Sequence, residues 1–443
     1  MTIHQTAIRP APTPAEQRFL DLYASVAGRL PGAQATEVRA WREAALNRFA
    51  ALGVPHRRVE EWKYTDLRML MPDVLPLAGL LPAMETDVSV EAAIGPPLAH
   101  LDAYRAVFID GLFRPDLSTL QDAPGVSLQA VRAALESSST RAHIMQSTLP
   151  ERDVIAALAN VFVTDGAILS IQPGTQVKKP IQLINLCGNG TPRLVATQNA
   201  IAIGEGAHVS LIEIEAGQAK CQIISSTRLS IGAHAAVRHV RLNFGEASKH
   251  LSSAAIVLAE GAKYDPVQMT VNAALTRAQA NIRFEGPGGR CHYSGAMMLR
   301  RRSHADFTLL VDHAAPGCQS RELAKAVVDD HSRGVFQAKV VVERGAQKTD
   351  GKQMSNALLL SDEAEFDSKP ELEIFADDVV CGHGATAGQL NEDQLFYLRA
   401  RGVPEPEARA LLVAGFIGEA LDNIENEDLR AALQEKVNDW LFA

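Results

Sequence analysis

The stretch "IAIGEGAHV" (201–209) sets an aliphatic strand against a glycine turn, and the same form returns along the chain. "LSIQPGTQV" (169–177), "LSIGAHAAV" (229–237), "IVLAEGAKY" (256–264), "VVVERGAQK" (340–348) and "LEIFADDVV" (372–380) repeat it. The apolar residue that closes each strand falls at Ile171, Ile203, Ile231, Leu258, Val342 and Ile374, and weaker echoes at Phe284 and Val311 fill the gap. The steps are then 32, 28, 27, 26, 27, 31 and 32 residues. A period of this size with strand-forming residues and Gly, Asn and Asp turns means stacked coils. One coil cannot bury its apolar side alone, whereas neighbours stacked on it make a continuous core. Residues 165–388 are therefore expected to form a parallel β-helix of about eight turns. The phrase I-G-x-G-A also occurs in hexapeptide-repeat acyltransferases, whose strict six-residue rhythm this drifting spacing does not keep.

The flanks are helical in texture. Residues 1–70 are expected to form an N-terminal helical domain. In it Thr36 is placed at an N-cap, and Val38, Trp41, Ala45, Phe49 and Leu52 follow at helical spacing before Gly53 and Pro55. "RRVEEWKYTDL" (57–67) is an amphipathic stretch, expected to be a helix end against a neighbour. Residues 71–164 lead into the core through a Pro- and Gly-rich linker to about residue 100, a hairpin and a helix. The hairpin is "YRAVFIDGLFRPDL" (104–117), with Asp110-Gly111 at its turn. The helix is "PERDVIAALANVF" (150–162). Residues 389–443 are expected to form a C-terminal helical domain. Asn391 caps its first helix with Gln394 at N3, and Gly402-Val403-Pro404 breaks it. Leu411, Leu412, Phe416, Ala420 and Leu421 make one apolar stripe, and Leu429, Leu433, Val437 and Trp440 another. These stripes suit self-packing or a docked partner.

Composition and motifs exclude several functions. The chain has 443 residues, 47% hydrophobic and 21% charged, with a net charge of −9. An acidic chain lacks the basic face that neutralises phosphates, so no nucleic-acid partner is expected. The one tight basic run, Arg300-Arg301-Arg302, is expected to be a solvated strand edge. "MTIHQTAIRPAPTP" carries no charged-then-apolar signal pattern. No apolar run approaches the ~20 residues that span a bilayer, so no membrane partner and a cytoplasmic location are expected. There is no G-x-x-x-x-G-K-[ST] and no G-x-S-x-G, which argues against P-loop ATP hydrolysis and a nucleophile elbow.

The chemistry-bearing stretch is "DDVVCGHGAT" (377–386). Thiolate and neutral imidazole are ligands that iron–sulfur chemistry uses. On a strand, residues i and i+2 face one side, so Cys381 and His383 would point together. Two ligands do not close a site. Half a metal site, a catalytic pair and a buried thiol beside a histidine all remain open on spacing. Cys187, Cys221, Cys291 and Cys318 are far apart, with no C-x-x-C pair, so neither a disulfide framework nor a closed zinc site is suggested.

"EEWKYTDL" (60–67), "LANVFVTDGAILSI" (158–171), the long block "KTDGKQMSNALLLSDEAEFDSKPELEIFADDVVCGHGAT" (348–386) and "LFYLRARGVPEPEARALLVAGFIGEAL" (395–421) together resemble the SufB/SufD family of iron–sulfur cluster assembly scaffolds. The opening segment and the modest length resemble its SufD branch. The resemblance implies a helical N-terminal domain, a right-handed parallel β-helix and a C-terminal helical domain. It further implies a complex of one SufB, one SufD and two SufC subunits. SufC is an ABC-class ATPase, so ATP hydrolysis would lie in that partner and this chain would be a non-catalytic scaffold. In the family the SufD Cys-x-His lies at the interface with SufB, where the histidine helps form the nascent cluster with a SufB cysteine. The motif stands here as Cys381 and His383. These would share a transient iron–sulfur cluster with SufB, with no cofactor permanently bound in the isolated chain. The family's sulfur-accepting cysteines belong to SufB, so the other four cysteines are expected to be structural. Leu395, Phe396, Leu398, Leu411, Leu412 and Phe416 are expected to dock SufC, and the β-helix end to meet SufB. A homodimer of isolated chains is left open. A β-helix enzyme such as an acyltransferase is the alternative reading, which turnover by the isolated chain would favour.

Overall fold

The computed structural model describes residues 11–80, 88–137, 141–145, 152–188, 190–217 and 220–442. From Ala167 onward the strands alternate between two sheets, one of nine strands and one of ten. Each coil leaves one strand in each sheet, and the coils stack in parallel register. The molecule is thus the expected mainly-β solenoid flanked by helices at both ends of the chain.

The repeat residues form one column. Ile171, Ile203, Ile231, Leu258 and Phe284 stand opposite one another on successive strands. The next place belongs to His313 rather than Val311, followed by Val342 and Ile374. A histidine fills an aliphatic position because its ring stacks on Phe284, with centroids 4.6 Å apart. Its Nε2 lies 3.0 Å from the Ser320 hydroxyl. The turn after this column needs a left-handed residue in each coil. Gly206, His234, Gly261, Gly288, Gly317 and Lys348 all have positive φ. Their N–H groups donate to the carbonyl of the coil above, as Gly206 does to Ala233 and Lys348 to Asp378. Glycine takes this conformation without steric cost, which is why the sequence repeats it there.

Segment 71–164 supplies further rungs. Tyr104–Ile109 turns at Asp110-Gly111 into Leu112–Phe113, as the hairpin signal predicts. It also pairs in parallel with Ile181–Cys187 and so extends the ten-stranded sheet. Val126–Ala130 closes the nine-stranded sheet antiparallel to Ala167–Ile171. The Pro/Gly-rich stretch is not bare linker, since Val90–Ile94 and Pro96–Ala99 are short helices with buried Ile94 and Leu98. Residues 81–87 and the start of the expected 150–162 helix lie outside the described residues. The described helix runs Val154–Phe162 and is capped by Asp153, which accepts from the Ala156 N–H at 2.9 Å.

Alternation sends every second strand residue outward, and helices cover both outer faces. On the nine-stranded sheet Pro14–Val26, Thr36–Leu52 and Val154–Phe162 bury Phe19, Phe49 and Phe162 with Ile224, Leu251 and Leu275. Thr36 is the first helical residue and not the cap; Ala35 holds the cap position without a side-chain bond. The buried Arg42 guanidinium instead donates to Val161 O and Val163 O at 2.8 and 3.0 Å, satisfying carbonyls at the end of Val154–Phe162.

"EEWKYTDL" proves to be a latch. Trp62 lies under the Arg277 guanidinium at 4.4 Å, and Arg277 Nη2 donates to Glu61 O at 2.8 Å. Arg277 also pairs with Asp306, which accepts from the Thr65 hydroxyl. Both members of the ion pair are fully buried. On the ten-stranded sheet Glu405–Gly418 and Glu427–Phe442 bury Val413, Ile417, Leu429, Leu433, Val437 and Trp440 against Ile212, Leu242, Met269 and Met298. Arg300 packs over the Trp440 ring at 3.8 Å, so the basic run is in part a helix anchor and not simply a solvated edge.

Candidate functional site

One end of the solenoid is formed by the last strand of each sheet. Val380–Gly388 is the last strand of the ten-stranded sheet and Glu365–Ile374 the last of the nine-stranded sheet. Neither outer edge pairs with another strand among the described residues. Such edges are templates for pairing with another chain. Of the exposed large apolar side chains, Met354, Ile374, Phe375, Val380, Phe396, Tyr397 and Leu411 cluster in residues 354–411, with Phe375 and Val380 both 62% exposed. Leu52, Met69 and Phe442 lie elsewhere in sequence.

Cys381 and His383 sit on this terminal strand, two residues apart and on one face, as the spacing predicts. Cys381 is opposite Gly351, and His383 is opposite Gln353. The thiol packs against the core between the sheets, while the imidazole is exposed at the rim. A Cβ at Gly351 would stand at ordinary contact distance from the Cys381 Sγ (3.6 Å) and the Ser320 Oγ (3.4 Å), so the thiol lies directly over this position. Burial pushes the Cys381 thiol up, against the Gly351 N–H, which favours the thiolate. Asp350 and Glu322 add to the upward push.

The other cysteines differ. Cys187, Cys221, Cys291 and Cys318 are all buried and free. The thiol of Cys187 is held protonated by its neighbour Cys221 and by burial, and that of Cys291 by burial. Cys318 donates to Gly286 O at 3.4 Å.

Two side chains escaped the sequence reading. The register runs Tyr293, Glu322, Gln353, His383 on four successive strands. Glu322 and Gln353 therefore face inward directly beneath the histidine. A step of 30 residues back from His383 to Gln353, and of 31 more to Glu322, matches the repeat period and is the signal that reaches them.

The expected docking residues differ in exposure. Phe396 is 72% and Leu411 56% exposed, while Leu395 is buried. Leu398, Leu412 and Phe416 are half-buried. Leu412 and Phe416 pack against the core under the C-terminal helices, where the Lys325 ammonium sits 4.5 Å over the Phe416 ring.

Among the described residues no three His, Cys, Asp or Glu side chains already converge as a metal nest. No described helix is long and apolar enough to cross a membrane.

Comparison with known proteins agrees across the chain. The family model described as SUF system FeS cluster assembly, SufBD core domain, matches residues 186–416. The SufBD protein N-terminal region model matches residues 13–183. An iron-sulfur cluster assembly SufBD family protein of Synechocystis sp. is 31% identical over 416 residues, 90% of each chain. The iron-sulfur cluster assembly protein SufD of Escherichia coli K12 is 27% identical over 405 residues, 89% of this chain and 91% of the relative. A SufBD family protein of Mycobacterium bovis is 28% identical over 394 residues, 86% of this chain and 88% of the relative.

Proposed function

Because this chain belongs to the SufBD family of iron–sulfur cluster assembly proteins, we propose that it is a SufD-type, non-catalytic scaffold subunit of a cytoplasmic assembly complex. It pairs with SufB through the open solenoid end and docks the SufC ATPase through its C-terminal helices. The nascent cluster is cargo at the shared interface, with nothing permanently bound in the isolated chain. The observation that carries this reading is the placement of Cys381 and His383 together on the strand whose outer edge is free.

The chemistry follows from that placement. The half-buried thiol and rim imidazole supply two ligands, and the remainder come from the partner and from sulfide. When iron binds the thiol, the sulfur gives up its proton as the Fe–S bond forms. The imidazole can ligate iron through an unprotonated nitrogen. The solenoid itself contributes rigidity, since parallel rungs hold both side chains at fixed spacing.

Co-expression with candidate SufB and SufC chains tests the assignment. A stable complex containing all three supports it. Turnover by the isolated chain without partners favours a β-helix enzyme instead.

A further inference from the structure

Among the buried carboxylates of the solenoid, Glu213 and Glu322 stand in opposite circumstances. Glu213 is fully engaged. It accepts from Arg241 Nε and Asn199 Nδ2 at 2.9 Å and from the Thr227 hydroxyl at 3.0 Å. Glu322 is as deeply buried, at 2% exposure, yet neither of its carboxyl oxygens has a hydrogen-bond partner. The Ser320 hydroxyl two residues away lies 3.0 Å from His313 Nε2, and its pull on the Glu322 carboxyl is weaker than the push of burial. One strand nearer the open end, Gln353 is 3% exposed, and both its amide oxygen and its amide nitrogen are also unpartnered. Buried polar atoms in native proteins are nearly always satisfied, so four orphans on adjacent rungs mark a place made for a polar guest. Burial pushes the Glu322 carboxyl up to about 8, as suits a group that stays neutral until a cation reaches it.

We propose that Glu322 and Gln353 form a staging site for a ferrous ion in the lumen beneath Cys381 and His383. The carboxylate and the amide carbonyl offer hard oxygen ligands. Neighbouring strands are ~4.8 Å apart, so Glu322 and His383 stand roughly 10 Å apart along the register column. An ion lodged at Gln353 lies between them, one rung below the imidazole and thiol. On binding, the Glu322 O–H proton goes to solvent and the carboxylate closes on the metal. No electron moves, and iron stays ferrous. This inference rests on the proposed role in cluster assembly but concerns a separate pair of residues.

Anaerobic competition between the full-length chain and a ferrous-specific colorimetric chelator tests it, with Cys381 and His383 intact. Glu322→Gln keeps size and hydrogen-bonding capacity while removing the charge that iron needs. It should weaken ferrous binding at least tenfold, and Gln353→Leu by a smaller factor. Wild-type affinity in Glu322→Gln would overturn the proposal, and so would the absence of ferrous binding by the wild-type chain. A hydrosulfide guest would be retained by the glutamine, so sulfide binding that survives Glu322→Gln beside unchanged iron binding also overturns it. Parallel cluster build-up by a His383→Ala complex separates the two readings. Loss there with unchanged iron binding in Glu322→Gln removes the staging site alone, and the converse removes the Cys-x-His reading alone.

Discussion

The Arg277 guanidinium is sandwiched between the Trp62 ring, 4.4 Å away, and the Asp306 carboxylate, with both charges sealed from solvent. This relationship ties the N-terminal helical segment to the nine-stranded sheet. Removing one partner of a buried ion pair leaves an uncompensated charge. Asp306→Ala should therefore cost about 3–5 kcal/mol. Replacing both, as Arg277→Met with Asp306→Leu, should recover most of that, because two apolar groups leave no charge behind. Denaturant midpoints of the single and double variants check this. A single variant as stable as wild type would mean that the latch carries no strength.

His313 predicts an acid-side weakness. Burial holds its imidazole down to about 4 in the folded chain, against about 6.5 when unfolded. Below pH 6.5 the unfolded chain binds the extra proton, so stability falls as pH drops from about 6.5 to about 4, by about 3 kcal/mol from this residue. His313→Leu restores the aliphatic column and should lessen the fall over that range, the rest coming from groups such as buried His304, also held down to about 4. An unchanged slope between pH 6.5 and 4 in the variant would contradict the assignment.

SufC docking should depend on Phe396 and Leu411 and not on Leu395. Exposed anchors of this kind commonly contribute about 1–2 kcal/mol to binding. Phe396→Ala and Leu411→Ala should each weaken SufC affinity roughly tenfold with unchanged melting. Leu395→Ala should instead lower stability by about 2–5 kcal/mol. Deleting residues 391–443 would not test docking cleanly, because those helices bury the outer face of the ten-stranded sheet. Full SufC affinity in the double Phe396, Leu411 variant would move the docking site elsewhere.

The intersubunit contact is expected at the open end. Adding SufB should slow amide exchange in residues 365–388, where two sheet edges are free. Protection confined to Pro14–Val26 and Thr36–Leu52 would place the partner on the wrong side for this account.

The fold was legible where one residue type repeats its job. Ile203, Ile231 and Leu258 fill equivalent places and each precedes a left-handed turn, so a period of about 28 survives in sequence. The reading slipped by two residues at Val311 because His313 fills an aliphatic place through a ring stack that no hydropathy pattern registers. "EEWKYTDL" was legible as amphipathic but not as a latch, since Arg277 and Asp306 lie more than two hundred residues away. Cys381 and His383 were visible as a pair because strand alternation acts within one strand. Glu322 and Gln353 were not, because only the stacking register brings them under His383. Leu395 and Phe396 are neighbours of similar hydrophobicity, and their opposite burial depends on how the helix lands on the sheet.

His383 carries the central claim. It is exposed between Gly382 and Gly384, so His383→Ala should change stability by no more than about 1 kcal/mol. Cys381→Ala should be equally severe for cluster formation if the thiol is a ligand, and milder if it only packs. The most direct measurement is cluster absorbance after anaerobic reconstitution of purified complexes carrying His383→Ala. Subunit stoichiometry and ATPase rate are expected to match wild type while the cluster absorbance falls sharply. Normal cluster build-up in that intact mutant complex would contradict the account and leave "CGHG" a structural segment of the last strand.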